Sequence, residues 1–446
     1  MVDALPDWLP QQRWFGAKGR EIHGVELVAD RELVHGDPSL RHLLVAVDLG
    51  EETETYQLLV GCRQELPPRL AHVAIGSDDG AILYDAAHDN ELTHVLLQMI
   101  RGGDDEAGLR FRHLPGVEIE TDLTSIVMGA EQSNTSIVFG DSYILKLFRK
   151  VAPGLNPDLE ITRALADTGT RAVVPPLGWM EVTEAGAADA TTLGMLQPFL
   201  KSASEGWSLA VTSVRDLYAE ADLHADEVGG DFAGESERLG AVTAEVHALL
   251  AEVLPSRIAD EAENAATAKQ MHERLDAALA VVPELAQFAD GLRASYDALA
   301  GLKSGVPVQR IHGDFHLGQA LRVDDGWKII DFEGEPARPL SERVTLMSPL
   351  RDVAGMLRSF DYAARHLLAE QLAAPNLEYR ATEWAERNID AFCTGYARAC
   401  GHDPRDDAVL LRAMELDKAV YEVVYEARNR PTWLAIPLGS IERLVR

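Results

Sequence analysis

In the second half of the chain the apolar residues recur at helical spacing, and the pattern breaks between Val308 and Phe332. Leu239, Val242, Val246, Leu249, Leu250 and Val253 trace one amphipathic run, and Val353, Met356, Leu357, Phe360, Ala364 and Leu367 another. Inside the break, Ala320–Val323 predicts a strand, Asp324-Asp-Gly326 a turn, and Trp327–Phe332 the returning strand. With the turn centred on Asp325, Gln319 and Asp331 lie six residues to either side. Such positions face each other across a hairpin, with Cβ atoms about 5 Å apart. An amide oxygen beside a carboxylate suits Mg²⁺, which takes few protein oxygens when phosphates supply the rest. Asp314, on the loop entering the hairpin, is placed to orient a hydroxyl and accept its proton. Singly, each of these residues would read as a turn or hairpin cap. Together they imply phosphoryl transfer to a hydroxyl.

That chemistry needs a cation on the nucleotide phosphates. Lys146 stands in the apolar strand Ile144-Leu-Lys-Leu-Phe148, where an ammonium is costly to bury without a partner. Glu160, on a helix predicted from Pro157 to Leu165, is the expected partner. Ser136–Phe139, the turn Gly140-Asp-Ser142 and Tyr143–Phe148 predict a hairpin. Just before it, Gln132-Ser-Asn-Thr-Ser136 takes the place of a glycine-rich phosphate loop. Its Ser133, Thr135 and Ser136 are expected to donate to phosphate oxygens. Gln197-Pro-Phe199 closes a predicted strand and is expected to meet adenine through its backbone. The earlier residues mix strands at Leu43–Leu49 and Tyr56–Val60 with a helix at Leu92–Ile100. The boundaries expected are 1–110 for an N-terminal module, 111–200 for a nucleotide-side β lobe with one helix, and 201–446 for a helical lobe.

The 446 residues carry a net charge of −31, which disfavours nucleic acid and anionic membranes as partners. ATP is also an anion, so its site must create a local cationic pocket or recruit Mg²⁺. Three cysteines without CxxC spacing argue for a reducing compartment, the cytoplasm, and against structural zinc. No apolar run reaches the ~18 residues that span a bilayer.

His312-Gly-Asp314…Gln319…Asp331 resembles the signature of the aminoglycoside-kinase branch of the protein-kinase-like fold. Gln319 stands where that group has Asn, and Glu333 where protein kinases have a Gly, which sets protein kinases aside. Longer stretches resemble actinobacterial maltokinases: Trp8-Leu-Pro-Gln-Gln-Arg-Trp14, Glu131–Ser136, Val228-Gly-Gly-Asp-Phe-Ala-Gly-Glu235, Asp331-Phe-Glu-Gly-Glu-Pro336, Pro349-Leu-Arg-Asp-Val-Ala-Gly355 and Leu416-Asp-Lys-Ala-Val-Tyr421. The resemblance implies an α+β bilobal kinase-like fold with an N-terminal β-rich cap. It implies ATP-dependent phosphorylation of maltose at its anomeric hydroxyl, and association with enzymes of trehalose and α-glucan metabolism. It makes Asp314 the base, Gln319 and Asp331 the metal ligands, and His316, Glu333, Glu335, Arg351, Asp352 and Tyr421 the sugar side. Arg351-Asp352 read equally as a helix cap, and Tyr421 and Tyr425, four apart, read as core or, with Trp433, as a stacking surface. A related family phosphorylates glucosamine; Val423 and Val424 stand here where an aromatic residue would close the pocket on a monosaccharide. A non-catalytic sugar or nucleotide sensor is a third reading, which the set Lys146, Asp314, Gln319 and Asp331 opposes.

Overall fold

The computed structural model describes residues 2–129, 133–183, 190–220, 222–303, 305–335, 338–370 and 375–446. Glu131, Gln132 and Pro336, part of the motifs above, lie outside the described residues. The chain forms two compact units, Met1–Arg163 with Val174–Lys201 and Ala164–Val173 with Ser202–Arg446.

The first unit holds two antiparallel sheets. Strands Gly24–Val34, Ser39–Asp48 and Thr53–Arg63 run as a meander, followed across the sheet by Ala81–Asp85 and Ala74–Asp78. Side chains alternate along a strand, so the middle strands serve two cores at once. Leu43 and Val45 pack with Leu5, Leu9, Trp14 and Phe15, while Leu40 and Leu44 pack with Leu92, Leu96 and Ile100 of helix Asn90–Gly102. That helix is closed by Gly103 in the left-handed region, φ 68°. The second sheet is ordered Asp105–Glu106, Leu109–His113, Gly178–Val182, Thr191–Pro198, Tyr143–Leu147, Thr135–Phe139 and Ser125–Val127.

The two sheets are stitched together, so the stretches set apart at residue 110 share one unit. Lys150–Val151, just past the Lys146 strand, pair with Thr55–Tyr56 of the meander. The Gln57 backbone N–H donates to Arg149 O at 2.8 Å. Its side-chain amide donates to Phe148 O at 2.7 Å and to Leu193 O. Arg149 is 1% exposed. Its guanidinium meets Asp85 at 2.6 Å, donates to Thr135 Oγ1 at 2.7 Å and lies 4.7 Å from the Trp14 ring centre. A guanidinium buried with a carboxylate, a hydroxyl and an aromatic face is paired on every side that matters.

The second unit is helical. Helices Ala233–Val253 and Pro375–Cys400 cross closely at Gly240 and Gly395, where a Cβ would fall 2.0 Å from Phe392 O and 1.9 Å from Glu237 O. Helix Glu261–Val281 begins with a capping box between Asp260 and Glu263. Two antiparallel strand pairs lie among the described helices, Ser256–Ala259 with Val306–Gln309 and the hairpin Ala320–Val323 with Gly326–Ile329. Helix Leu350–Glu370 packs behind the loop that enters it, and Ala408–Asn429 packs on that helix. Among the described residues no helix is long and apolar enough to cross a membrane.

Candidate active site

The loop 311–319 is held from behind by one face of helix Leu350–Glu370. Asp352 is buried, and its carboxylate accepts the backbone N–H groups of His312 at 2.7 Å and Gly313 at 2.8 Å. Gly355 lets the loop approach, since a Cβ there would lie 2.5 Å from Phe315 O. Ser359 Oγ accepts the N–H of Leu317 at 3.0 Å. Residues 352, 355 and 359 are spaced as one helical stripe. His247, from helix Ala233–Val253, reaches Asp352 with Nε2 at 3.2 Å and Tyr396 Oη with Nδ1 at 3.0 Å. Burial would raise the Asp352 pKa, but His247, His312 and the Gly313 N–H outweigh it and hold the carboxyl below its ordinary range. The expectation that Asp352 faces a sugar is therefore corrected: its carboxylate is spent inside, on the loop. His312 Nδ1 accepts the Asp314 N–H at 3.3 Å and Nε2 meets Ile330 O at 2.9 Å, an arrangement that puts the proton on Nε2.

The hairpin has a shorter turn than the sequence reading gave it. Val323 pairs with Gly326 and Ala320 with Ile329, so the register partner of Gln319 is Ile330, whose N–H donates to Gln319 O at 3.0 Å. A one-residue offset normally sends a side chain to the opposite face. Asp331 escapes this because the strand ends at Ile329 and Asp331 takes φ 66°, in the left-handed region. Gln319 Nε2 then donates to Asp331 Oδ2 at 3.1 Å, which leaves Oε1 as the amide atom to offer a cation. Glu333, expected at the sugar, brings a carboxylate oxygen within 4.8 Å of one on Asp331. Its Oε2 lies 4.0 Å from Arg343 Nη1. Carboxylate and amide oxygens so grouped are the donor chemistry Mg²⁺ takes.

Asp314 has a partner that the sequence reading missed. Lys418, on helix Ala408–Asn429, places Nζ 3.0 Å from Asp314 Oδ1, 3.2 Å from Glu335 Oε1 and 5.0 Å from the Tyr421 ring centre. Burial would lower the Lys418 pKa, but Asp314, Glu335 and Glu422 together raise it, so the ammonium stays charged. Glu335 is 5% exposed and is also met by Arg338 at 2.5 Å and Arg351 at 3.3 Å. Both Glu335 and Arg351 therefore belong to an ion network beneath Asp314 rather than to an open sugar surface. A lysine one position off the buried stripe Leu416, Ala419, Val420, Val423 was the available signal.

Burial alone would raise the Glu335 pKa; Lys418, Arg351 and Arg338 overcome it and bring the value down to about 2 from 4.5. A carboxyl depressed in the folded state contributes stability above its unfolded pKa and loses it as pH falls toward the folded one. Between pH 6 and pH 3 Glu335 should thus cost the protein on the order of 2 kcal/mol, the remainder being lost only below pH 3. Urea unfolding at both pH values is expected to show a smaller fall for Glu335→Gln than for the unaltered chain. Equal falls would remove Glu335 from the account.

A cavity of ≈ 550 Å³ opens beside Asp314, within the ~300–1,000 Å³ of small-molecule sites. His316 and Lys418 share the Asp314 end, and Trp207, Tyr362, Tyr421, Tyr425 and Trp433 supply aromatic walls. His316 Nδ1 accepts the Gly318 N–H at 3.0 Å, and burial keeps its imidazole neutral by lowering its pKa. Tyr421 and Tyr425 are 37% and 42% exposed, with stacked rings 6.3 Å apart, so the core alternative for them falls away.

In the other unit Lys146 lies opposite Ser136 and Met195 in the sheet. Its Nζ is 3.5 Å from Asp158 Oδ2, with both side chains largely buried. Asp158, on helix Pro157–Ala166, was not singled out from the sequence; Glu160, two residues on, is roughly 200° around the helix and half-buried. Thr135 and Ser136 are strand residues, 5% and 0% exposed. Ser133 alone of the three hydroxyl residues is exposed. The Phe199 N–H, expected at adenine, donates instead to Ser142 O at 2.9 Å, and the Gln197 amide to Val174 O at 2.8 Å.

A base-bearing loop, an oxygen-rich hairpin and a strand lysine paired with a helix carboxylate are the parts of a phosphotransferase. Residues 122–401 match the model of the phosphotransferase enzyme family. The chain belongs to that family. Residues 8–89 match the maltokinase N-terminal cap domain. The chain is 30% identical to a glucosamine kinase of Streptacidiphilus jiangxiensis over 380 residues, 82% of this chain and 83% of that one. With a glucosamine kinase of Mycolicibacterium smegmatis it shares 28% over 327 residues, 71% and 78% of the two chains. The fold is likewise that of a glucosamine kinase solved with glucosamine, ADP and inorganic phosphate, with a TM-score of 0.72, 23% identity and coverage of 100% and 99%. A second crystal form gives 0.73. The phosphotransferase is thus an α+β protein of the protein-kinase-like class, with a β-rich N-terminal part and a helical C-terminal part.

Proposed function

We propose that this ATP-dependent sugar kinase phosphorylates maltose at its anomeric hydroxyl, giving maltose 1-phosphate for α-glucan synthesis. The observation that carries the choice is the charge balance of the cavity beside Asp314. Its carboxylates already have cations: Asp314 has Lys418, Glu422 has Arg358 at 2.8 Å, and Glu426 has Arg430 at 2.6 Å. Among the described lining residues, Glu205 is the acid that meets a hydroxyl, Ser208 Oγ at 3.4 Å, rather than a cation. Apart from Glu205 the charges of this cavity are already paired and its walls are aromatic, which suits a neutral polyol lying on aromatic faces; an ammonium sugar would find its counter-charge at Glu205 alone. A second reading, glucosamine, is favoured by the names of the relatives and by Glu205.

In this reading Asp314 holds the acceptor hydroxyl and takes its proton as the oxygen bonds to the γ-phosphorus and the bond to the β,γ-bridging oxygen breaks. Lys418 aims the Asp314 carboxylate through its 3.0 Å ion pair, and His316 hydrogen-bonds the sugar. Gln319, Asp331 and Glu333 would hold Mg²⁺, which neutralises phosphate charge when bound. Lys146, aligned by Asp158, serves the phosphates, with Ser133 and Glu160 nearby in sequence.

ADP release measured with maltose, glucosamine, glucose and an aminoglycoside distinguishes the readings. The expected result is a kcat/KM for maltose at least about tenfold above glucosamine, a preference worth ~1.4 kcal/mol. Glucosamine turning over as fast as maltose would overturn the substrate while sparing the kinase, and its loss in Glu205→Gln would point to the acid that reads the amine.

A further inference from the structure

We propose that the helical unit carries a second ligand site, a phosphate-binding cavity about the guanidinium groups of Arg274, Arg338 and Arg351. The cavity has a volume of ≈ 250 Å³ and shares no described lining residue with the one beside Asp314. Helix Glu261–Val281 turns a polar stripe to it: Asn264, Thr267, Gln270 and Arg274, spaced three or four apart. Strand Val306–Gln309 and helix Ala408–Asn429 supply an apolar wall through Val306, Val308, Leu410 and Met414. One polar wall and one apolar wall make a pocket for a small molecule with an anionic head and an uncharged body.

The charges say which head. Arg274 spends Nε and Nη2 on Asp417, at 2.9 and 2.8 Å. Arg351 reaches Glu335 at 3.3 Å and Asp417 at 3.7 Å, and Arg338 reaches Glu335 at 2.5 Å. Glu335 is also claimed by Lys418, which holds Asp314. Four cations, Arg274, Arg338, Arg351 and Lys418, therefore meet the acids Asp314, Glu335 and Asp417, with the buried Asp352 also acting on Arg351. Glu342, 3.9 Å from Arg338, is 56% exposed and screened by water. Three guanidiniums gathered at one cavity in a chain of net charge −31 are a feature with a use. The three guanidiniums remain 34%, 22% and 17% exposed at the cavity. Planar donor forks of this kind match the oxygens of a phosphate group. The ligand class is thus a phosphate-bearing metabolite, or free phosphate itself.

Calorimetric titration of inorganic phosphate and of glucose 6-phosphate into the full-length protein, saturated with ADP, tests this. Gln270 is exposed at the cavity and outside the catalytic network. Gln270→Glu is expected to weaken both probes about fivefold and Gln270→Arg to tighten them by a similar factor, as one charge near a surface anion does. Arg274→Met should weaken them at least about tenfold. Tighter binding of the sugar phosphate than of phosphate assigns the apolar wall to the ligand's body; equal binding assigns the site to free phosphate. No heat from either probe up to about 10 mM, the weak end of useful affinity, would overturn the site. So would affinities indifferent to both Gln270 substitutions, which would leave the arginines as internal bracing. Neither arm depends on which sugar the enzyme phosphorylates.

Discussion

Asp314→Asn is expected to lower turnover by ~10² or more while leaving the fold and ATP binding intact, the signature of a lost, positioned base. The substitution keeps the side chain's shape and removes only its charge, and the residue is partly open to the cavity, so little core energy is at stake. It also releases Lys418 from its 3.0 Å ion pair, leaving that ammonium to Glu335. The measurement is ADP release at saturating substrates, alongside nucleotide titration and thermal melting. A fall in kcat of two orders corresponds to about 2.7 kcal/mol of lost barrier reduction. Turnover at the level of the unaltered enzyme would remove Asp314 from the chemistry.

Asp352→Ala should be the most damaging substitution to the fold. It takes away a buried carboxylate and leaves two backbone N–H groups and His247 without the acceptor they share. Breaking one partner of a buried network costs ~3–5 kcal/mol, and each orphaned N–H accounts for about 1–3 of that. Urea unfolding should therefore register a large loss, and any folded remainder should turn over slowly because the loop carrying Asp314 is no longer held. Asp352→Asn offers one accepting oxygen and should fall between. A stable, active Asp352→Ala protein would show that the loop keeps its shape without this brace.

The difference between these two aspartates marks how far the sequence could be read. The motif around Asp314, the break in helical periodicity and the strand carrying Lys146 were all visible, because each depends on local spacing. The hairpin neighbours were also found, although the register behind them was off by one; the left-handed turn at Asp331 restored what the count had missed. Asp352, Glu335 and Arg351 were placed at the sugar for want of any local mark separating an acid that binds a ligand from one that binds backbone. Only the packing of helix Leu350–Glu370 against the loop tells them apart. Lys418 and Asp158 escaped for a related reason: their partners lie 104 and 12 positions away in sequence, across folds that spacing does not encode. His247 left a trace, a histidine in the buried stripe of its helix beside Gly240, Thr243 and Leu250, but nothing in the stripe names its partner.

The stitching of the first sheet onto the second bears on how the chain is made. Strand Thr53–Arg63 gains its neighbour Lys150–Val151 only when some ninety further residues have been added, and Gln57 finds Leu193 later still. Until then the Thr55–Tyr56 edge has unpaired backbone groups, and Asp85 waits without Arg149. A nascent chain that stops after the N-terminal sheet is an unfinished protein, with an adhesive edge and an unmatched buried acid. The β-rich N-terminal part is thus less a detachable accessory than the first half of a fold whose completion is signalled by the arrival of the lysine strand.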